Sequence, residues 1–398
     1  MMNKRKPLSL YIHIPFCVRK CLYCDFVSFR KCDEEKEQYL LALFQEMERW
    51  KAWIADYYTI QTVFIGGGTP TCLLPEQLCR LGEAIKNYFC LTEQAEYTIE
   101  ANPGTVTKEH ITALKHMGVN RISLGLQSAQ NEELKELGRI HSYEDFLQTY
   151  ELLRQEEFSN INVDLMADIP GQTLQSYRDT LEKVLKLEAE HISSYSLIIE
   201  PGTPFYERKE KGLLLIPDEE TDREMYRLTQ ELLLQKGYQR YEISNYAKEG
   251  KACRHNLAYW SGTDYLGIGM AASSYLQGMR FTQTAVWDEY LASAEDFEKD
   301  KVTEDSFLSV VSSYTDFTHL TKEEKMEEFM FLGLRKMQGI SRKEFTKCFG
   351  ITIESVYGEV LERFFSQNLL AEDKNSDRIY LTNRGIDVSN YVLSEFIL

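Results

Sequence analysis

Three cysteines near the start of the chain have the spacing of ligands to an inorganic centre. Cys17, Cys21 and Cys24 form a C-x3-C-x2-C run just past the first predicted strand. Three thiolates this close can converge on one site. A zinc ion would want a fourth ligand, for which Cys32 or His13 could serve. A [4Fe–4S] cluster held by only three thiolates instead leaves one iron open for a further ligand.

A glycine run follows the second predicted strand, with the sequence Gly66-Gly67-Gly68-Thr69-Pro70. Glycine has no Cβ, so its backbone can approach a ligand more closely than that of any other residue. A glycine triplet alone is typical of a turn. At the end of the strand that follows a cysteine cluster, it predicts a loop lying against a bound ligand.

Strand-like and helix-like segments alternate over about residues 8–199, as apolar, β-branched runs followed by amphipathic stretches. This alternation predicts parallel strands joined by right-handed crossovers, in an open doubly wound sheet or in a barrel or partial barrel. In both, ligands gather at the carboxyl ends of the strands. The predicted strands are Ser9–Ile14, Thr62–Ile65, Tyr97–Ala101, Arg121–Leu126, Asn162–Met166 and Ser193–Ile199, and the predicted helices are Glu35–Ala55, Pro75–Tyr88, Lys108–Met117, Glu132–Leu137, Tyr143–Glu156 and Leu174–Leu187.

The pattern changes after about residue 200. It predicts a helix over Asp218–Gln235, a strand over Tyr238–Ile243, an acidic linker over Ala294–Asp305 and a hairpin over Leu370–Leu381. The helices and hairpin at the end of the chain are typical of a winged-helix-like module. We interpret this module as a lid or an interaction module. We therefore expect a barrel at residues 1–200, a small α/β extension at 201–287 and a C-terminal helical domain at 288–398.

The composition restricts the partners and the compartment. The 398 residues include 45 basic and 62 acidic side chains, a net charge of −17, which argues against general binding of nucleic acid or anionic lipid. No run approaches the roughly 20 apolar residues that cross a bilayer, and the start of the chain lacks a signal-peptide cleavage site. Nine cysteines are too sparse for a disulfide scaffold. We expect a cytoplasmic protein with reduced thiols that does not bind nucleic acid, and the oligomeric state stays open.

The cysteine spacing after the strand Tyr11–Phe16 is similar to the signature of the radical S-adenosylmethionine (SAM) superfamily, and the glycine run resembles the glycine motif of that superfamily. The resemblance implies an α/β fold, a partial (β/α)6 TIM-like barrel. It also implies a [4Fe–4S] cluster on Cys17, Cys21 and Cys24, with its open iron chelated by the amino and carboxylate groups of SAM. One electron from the cluster cleaves SAM in that superfamily, so an electron donor is implied as well.

A narrower resemblance is to the family of oxygen-independent coproporphyrinogen III oxidases. Its motifs occur in order as Tyr11–Cys17, Gly66–Thr71, Ile99–Pro103, Ser123–Ser128, Leu137–Arg139, Asn162–Met166 and Ile169–Gly171. Carboxylates suit ribose hydroxyls and an amino group, and a guanidinium suits a carboxylate. The implied SAM contacts are Tyr11, Tyr23, Gly67, Gly68, Thr69, Glu100, Gln127, Arg139 and Asp164.

Two features depart from the oxidases. Phe26 stands where their fourth cysteine would be, and only 16 residues precede Cys17, whereas the oxidases carry a long N-terminal extension. Both departures resemble the heme chaperones of the same family, which bind heme and hand it to acceptor proteins. We therefore expect a heme chaperone lacking oxidase activity. The alternatives are the oxidase or another radical SAM enzyme acting on a tetrapyrrole, and an iron–sulfur structural or sensor protein.

An H-N-x-x-Y-W element, His255 to Trp260, resembles the motif linked to heme binding in those chaperones. A neutral imidazole is a good axial ligand for heme iron, and aromatic rings can pack on a porphyrin face. His255 is therefore the predicted heme ligand, with Cys253 as an alternative. In the competing interpretation, His255 and Asn256 satisfy backbone groups while Tyr259 and Trp260 fill a core. No catalytic side chain is predicted, because the sequence has no nucleophile elbow, P-loop or Rossmann fingerprint.

Overall fold

A partial barrel of parallel strands forms the first half of the chain. The structure is a computed structural model that describes residues 5–297, 301–312, 314–373 and 375–398. Strands β1 to β6 pair in parallel in chain order, and six helices alternate with them, so the predicted fold is confirmed. The strands are β1 (Lys6–Ile14), β2 (Tyr58–Gly67), β3 (Leu91–Ala101), β4 (Arg121–Gln127), β5 (Ile161–Ala167) and β6 (His191–Ser196), and the helices are α1 (Asp33–Tyr57), α2 (Pro75–Tyr88), α3 (Lys108–Met117), α4 (Asn131–Glu136), α5 (Tyr143–Gln155) and α6 (Leu174–Leu185).

Further strands extend both edges of this sheet. On one side β9 pairs in parallel with β1 and is followed by antiparallel β10, β11 and β12, while on the other side β8 and β7 follow β6. The elements of this region are α7 (Pro204–Glu210), α8 (Glu219–Gln235), β7 (Gln239–Arg240), β8 (Asn245–Ala247), α9 (Arg254–Trp260), β9 (Tyr265–Ile268), β10 (Ser273–Leu276), β11 (Met279–Thr282), α10 (Trp287–Phe297), α11 (Phe307–Val311) and β12 (Thr315–His319).

The barrel strands carry apolar side chains on one face and polar ones on the other. On β4, Ile122, Leu124 and Leu126 are fully buried in the core, while Arg121 and Ser123 alternate with them and line a cavity inside the barrel. Successive strand residues point to opposite faces, so one strand both packs into the apolar core and lines the cavity. The helices thus cover an apolar outer surface, and the barrel interior is left polar.

The end of the chain has its own apolar core, which includes Met326, Phe345, Leu361, Phe364 and Phe396. A three-stranded sheet in the order β13-β15-β14 packs with the helices around it. Its elements are α12 (Lys322–Gly333), β13 (Ile340–Ser341), α13 (Arg342–Phe349), α14 (Ile353–Ser366), β14 (Leu370–Asp373), β15 (Arg378–Leu381), α15 (Asn383–Asp387) and α16 (Ser389–Ser394). None of the helices in the described ranges is long and apolar enough to cross a membrane.

Two predictions for the second half of the chain differ from the structure. The strand expected over residues 238–243 is limited to Gln239–Arg240. The linker expected over residues 294–305 begins inside α10, where Ala294 is buried, although residues 298–300 lie outside the described ranges. Val302 is also fully buried and donates its N–H to the Arg49 carbonyl. Acidic composition alone suggested a loose segment, but scattered apolar residues anchor it to α1.

Candidate functional site

A cavity of about 470 Å³ lies inside the barrel and collects most of the residues predicted from sequence. The predicted residues that line it are Cys17, Cys21, Tyr23, Cys24, Gly67, Gly68, Thr69, Glu100, Gln127, Arg139 and Asp164. Most of them come from the β1–α1 loop and from β2 to β5 or the residues that directly follow β2, where a parallel barrel is expected to bind ligands, and Arg139 comes from the segment between α4 and α5. Tyr11 and His255 do not line this cavity.

The loop that carries the three cysteines is fixed by backbone hydrogen bonds. Cys17 donates its N–H to the Phe29 carbonyl over 3.0 Å, and Leu22 donates to the Leu137 carbonyl over 3.0 Å. These bonds hold the loop over the strand ends, with the Cys21 thiol 3.5 Å from an Arg139 nitrogen. Burial raises the pKa of the Cys24 thiol to about 11, so binding a metal there must displace a proton.

Neither residue considered as a fourth ligand reaches the cavity. Cys32 is exposed at the start of α1, and His13 is buried with its two ring nitrogens 3.0 Å from the Tyr11 hydroxyl and the Val27 carbonyl. In the described part of the chain, no three His, Cys, Asp or Glu side chains converge closely enough to hold a single metal ion. Three thiols around one cavity fit a polynuclear cluster, in which each thiolate binds a different iron.

The glycine run is required by the packing of the protein itself. A Cβ on Gly67 would lie 2.4 Å from the His13 ring, and its φ of +109° disfavours other residues. A Cβ on Gly68 would lie 2.6 Å from the Phe16 carbonyl oxygen. The sequence predicted that these glycines make room for a ligand. The structure adds a second reason, since they bring the end of β2 against the start of the cysteine loop.

Arg139 connects the cysteine loop to the strand ends. Its guanidinium donates to the Asn102 side-chain oxygen over 2.5 Å and to the Gly125 carbonyl over 2.7 Å. Asn102 in turn donates to the Thr69 hydroxyl over 2.6 Å. The Arg139 Nε atom is buried without a hydrogen-bond partner among the described residues. This arrangement leaves a positioned, incompletely satisfied cation beside the cysteines, which suits a carboxylate ligand.

Two carboxylates face the same cavity. Glu100 on β3 accepts the Gly67 N–H over 3.1 Å, and burial together with the negative charge of Asp164 raises the pKa of Glu100 to about 8. Asp164 on β5 accepts from the Ser123 hydroxyl and the Asn162 amide, and burial raises its pKa as well. Within the described ranges neither carboxylate has an ion-pair partner. The pair therefore suits a ligand with a positive charge and hydroxyl groups.

Gln127 closes the side of the cavity at the end of β4. Its φ of 73° lies in the left-handed region, and the β4–β5 register shifts between Gly125 and Gln127. A non-glycine residue in this conformation is strained, and such strain concentrates at ligand sites. The bulge places the Gln127 side chain in the cavity.

The deep end of the cavity contains residues that the sequence analysis did not select. Asn162 and His191 are joined by a 2.6 Å hydrogen bond, and the other His191 nitrogen lies 2.8 Å from the Tyr241 hydroxyl. Burial lowers the pKa of His191, so the ring is neutral. Arg121 and Cys253 line the same end. The signal that would have found the strand residues is the two-residue alternation of β4, β5 and β6, because the cavity is lined by Arg121 and Ser123, by Asn162 and Asp164, and by His191 and Ser193.

The structure places His255 in a packed part of the barrel. The side chain is 1% exposed, with its two ring nitrogens 2.8 Å from the Thr62 hydroxyl and 2.9 Å from the Tyr259 hydroxyl. Burial lowers the pKa of His255 to about 3. Axial ligation of heme from this position would require one of these hydrogen bonds to break. Tyr11 is likewise held inside the barrel by the His13 ring.

Comparison with known proteins identifies the class first. The Radical SAM superfamily model matches residues 11–184, the span from the strand before the cysteine loop into α6, and a HemN C-terminal domain model matches residues 320–388. The structure resembles that of coproporphyrinogen III oxidase (HemN) from Escherichia coli with a TM-score of 0.84, at 22% identity, over 100% of this chain and 91% of that one. The barrel is thus that of a radical SAM protein.

Relatives that align over nearly the whole of both chains show the family within this superfamily. The chain is 37% identical to the heme chaperone HemW of Lactococcus lactis over 394 residues, covering 99% of this chain and 98% of the relative. It is 38% identical to the heme chaperone HemW of Bacillus subtilis over 390 residues, covering 98% and 99%. The chain therefore belongs to the HemW family of heme chaperones within the radical SAM superfamily.

Proposed function

We propose that this protein is a heme chaperone that binds heme and transfers it to acceptor proteins. The observation that carries the proposal is the similarity to HemW chaperones over nearly the whole of both chains. Phe26, which replaces the oxidase cysteine, is 63% exposed at the mouth of the cavity and offers no thiol there. We also place the protein in the cytoplasm, where thiols stay reduced.

The barrel cavity would hold a [4Fe–4S] cluster on Cys17, Cys21 and Cys24, with SAM beside it. When bound, this pair supplies one-electron chemistry at the SAM sulfonium, with an electron from a donor protein. Arg139 fits the SAM carboxylate, because its Nε still lacks a partner. Glu100 and Asp164 fit the ammonium and ribose hydroxyls, and their negative charges favour the sulfonium.

The remaining predicted contacts shape the pocket around these charges. Gly67, Gly68 and Thr69 offer backbone and hydroxyl groups at the strand end, with the Cys17 thiol 3.7 Å from the Thr69 hydroxyl. Gln127 and Tyr23 bound the opposite side, and burial raises the pKa of Tyr23, which keeps its hydroxyl protonated.

Cluster assembly tests the barrel part of the proposal. Anaerobic reconstitution should give about four iron and four sulfide per chain. Alanine at Cys17, Cys21 or Cys24 should abolish the cluster. Cys32→Ala is the matched control, since Cys32 is exposed and outside the cavity. Cluster loss in the Cys32 variant would show a closed four-ligand site and overturn the open-iron assignment.

Heme binding and oxidase activity separate the two tetrapyrrole functions. The purified full chain should bind about one heme, as expected for a single site. Incubation with coproporphyrinogen III, SAM and a reductant should give no protoporphyrinogen. Decarboxylated product from the wild-type protein would overturn the chaperone function in favour of the oxidase.

A further inference from the structure

A second cavity, of about 440 Å³, lies outside the barrel between the end of α9 and the C-terminal helices. We call it the α9–α12 cleft and define it by Trp260, Phe329, Leu332, Cys348 and Phe349, all of which line it. Its volume falls in the range of about 300 to 1,000 Å³ typical of small-molecule sites. Neither the cluster cysteines nor the predicted SAM contacts take part in it.

Aromatic side chains form the walls of the cleft. The Phe329 and Phe349 rings meet edge to face at 5.9 Å, and the Trp260 ring lines the cleft as well, with the Arg335 guanidinium, which does not line the cleft, 4.7 Å from its centre. The Trp260 Nε1 atom is buried and has no hydrogen-bond partner in the described structure. Several rigid rings lining one cavity suit a flat, largely apolar ligand.

The rim of the cleft is cationic although the chain as a whole has a net charge of −17. Lys325, Lys336 and Arg378 line it, and none of the three forms an ion pair within the described ranges. Of the two carboxylates on the rim, Glu328 is already paired with Arg280 at 2.8 Å. An amphipathic ligand with carboxylates at one edge would find partners for them here.

Cys348 provides a donor for a metal at the centre of such a ligand. It lies on α13 one turn after Glu344, and both side chains line the cleft. Thiolate is an established axial ligand of heme iron. Binding iron would release the thiol proton to solvent and involves no change of oxidation state. No histidine lines the cleft in the described structure.

We propose that the α9–α12 cleft is the heme site of this chain. The porphyrin lies between Trp260 and the phenylalanines, its propionates meet Lys336 and Arg378, and Cys348 binds the iron. This inference rests on the proposed heme-binding function. It moves the heme from His255 to the other end of the same H-N-x-x-Y-W element.

Two probes separate the parts of this site in the full chain. Hemin carries iron, whereas iron-free protoporphyrin IX has the same ring and propionates but no metal. Arg378→Gln should weaken binding of both probes about tenfold, the effect of one charge-assisted contact. Cys348→Ser should change the hemin spectrum and weaken hemin binding about tenfold while leaving protoporphyrin IX unaffected. Leu332→Trp, which fills the cleft from α12, should block both probes.

Matched controls are available on the same helix and among the exposed cysteines. Lys347→Gln removes a charge from α13 outside the cleft, and Cys90→Ser removes an exposed thiol elsewhere, so both should bind like the wild type. Cluster content and thermal unfolding confirm that each variant is folded. A wild-type protein that fails to bind hemin overturns the proposed function. If the wild type binds hemin and all three cleft variants show the same affinities and spectra as the wild type, the cleft is not the heme site.

Discussion

We expect the protein to release a proton from Glu100 when SAM binds, and we expect the Glu100→Gln variant to lack this release. In the ligand-free chain, burial and the charge of Asp164 raise the pKa of Glu100 to about 8, so the carboxyl is mostly protonated at neutral pH. SAM brings a positive sulfonium and hydroxyl donors, which favour the ionised carboxylate. Binding should therefore drive the proton off.

The size of the effect follows from that pKa. At pH 7 a carboxyl with a pKa of about 8 is about 0.9 protonated, so SAM binding should release about 0.9 proton from Glu100, falling to about 0.1 at pH 9. Because the Glu100 carboxyl must lose its proton for SAM to bind, and because fewer carboxyls carry that proton at higher pH, the affinity for SAM rises with pH. Between pH 7 and 9 the Glu100 contribution amounts to about tenfold in affinity.

Anaerobic titration calorimetry of the cluster-loaded protein, in buffers with different ionisation enthalpies, measures this release. SAM can also lose a proton from its own amino group, so the informative quantity is the difference between wild type and Glu100→Gln. Equal proton release in both proteins would refute the reasoning. A second check uses ligand-free protein. A carboxyl with a raised folded-state pKa stabilises most at low pH, so wild-type unfolding free energy should fall from about pH 4.5 to pH 8, and less so in the variant.

Three further predictions concern the neighbouring residues. His255→Ala should lower the unfolding free energy by about 3 kcal/mol in chemical denaturation, because it empties a buried site and leaves the Thr62 and Tyr259 hydroxyls without that partner. Its hemin spectrum should stay unchanged, and a shifted spectrum would restore His255 as the ligand. Gly68→Val should lose cluster and SAM binding together on reconstitution, because its Cβ meets the Phe16 backbone; retained cluster with lost SAM would point to ligand crowding alone. Arg139→Lys should keep the cluster and bind SAM at least tenfold more weakly by titration, because lysine cannot reproduce the guanidinium fork; unchanged affinity would remove Arg139 from the site.

Much of the barrel could be predicted from the sequence because its signals are local. The helices α2 and α3 have the predicted bounds, and each of β1 to β6 contains most of its predicted strand. Apolar strand faces and amphipathic helices are set by periodicity, which a single sequence displays directly. The rule that ligands bind at the carboxyl ends of parallel strands then placed the cysteine loop, the glycine run and Glu100 at one cavity.

The deep end of that cavity could not be predicted in the same way. Arg121 and Asn162 are the first residues of two strands predicted from their apolar and β-branched neighbours, and His191 lies two residues before the predicted sixth strand. A polar residue at such a position is ordinarily explained by a cap or a neighbouring pair. Only the three-dimensional arrangement of the strands shows that these inward positions line the same cavity.

The short helix α9 shows why the H-N-x-x-Y-W element admitted two interpretations. The Glu96 carboxylate accepts the backbone N–H groups of Arg254 and His255, each over 3.0 Å, which fixes the start of the helix inside the barrel. The His255 ring nitrogens lie within hydrogen-bond distance of the Thr62 and Tyr259 hydroxyls. Asn256 lines the barrel cavity and Trp260 lines the α9–α12 cleft, although four residues of helix separate them by only about 6 Å along the axis. The sequence shows the residue types of the element, but the side of the helix that each residue faces depends on β2, β3 and the C-terminal domain, which are distant in sequence. One element therefore bounds two cavities, and its tryptophan is the residue that meets the proposed heme.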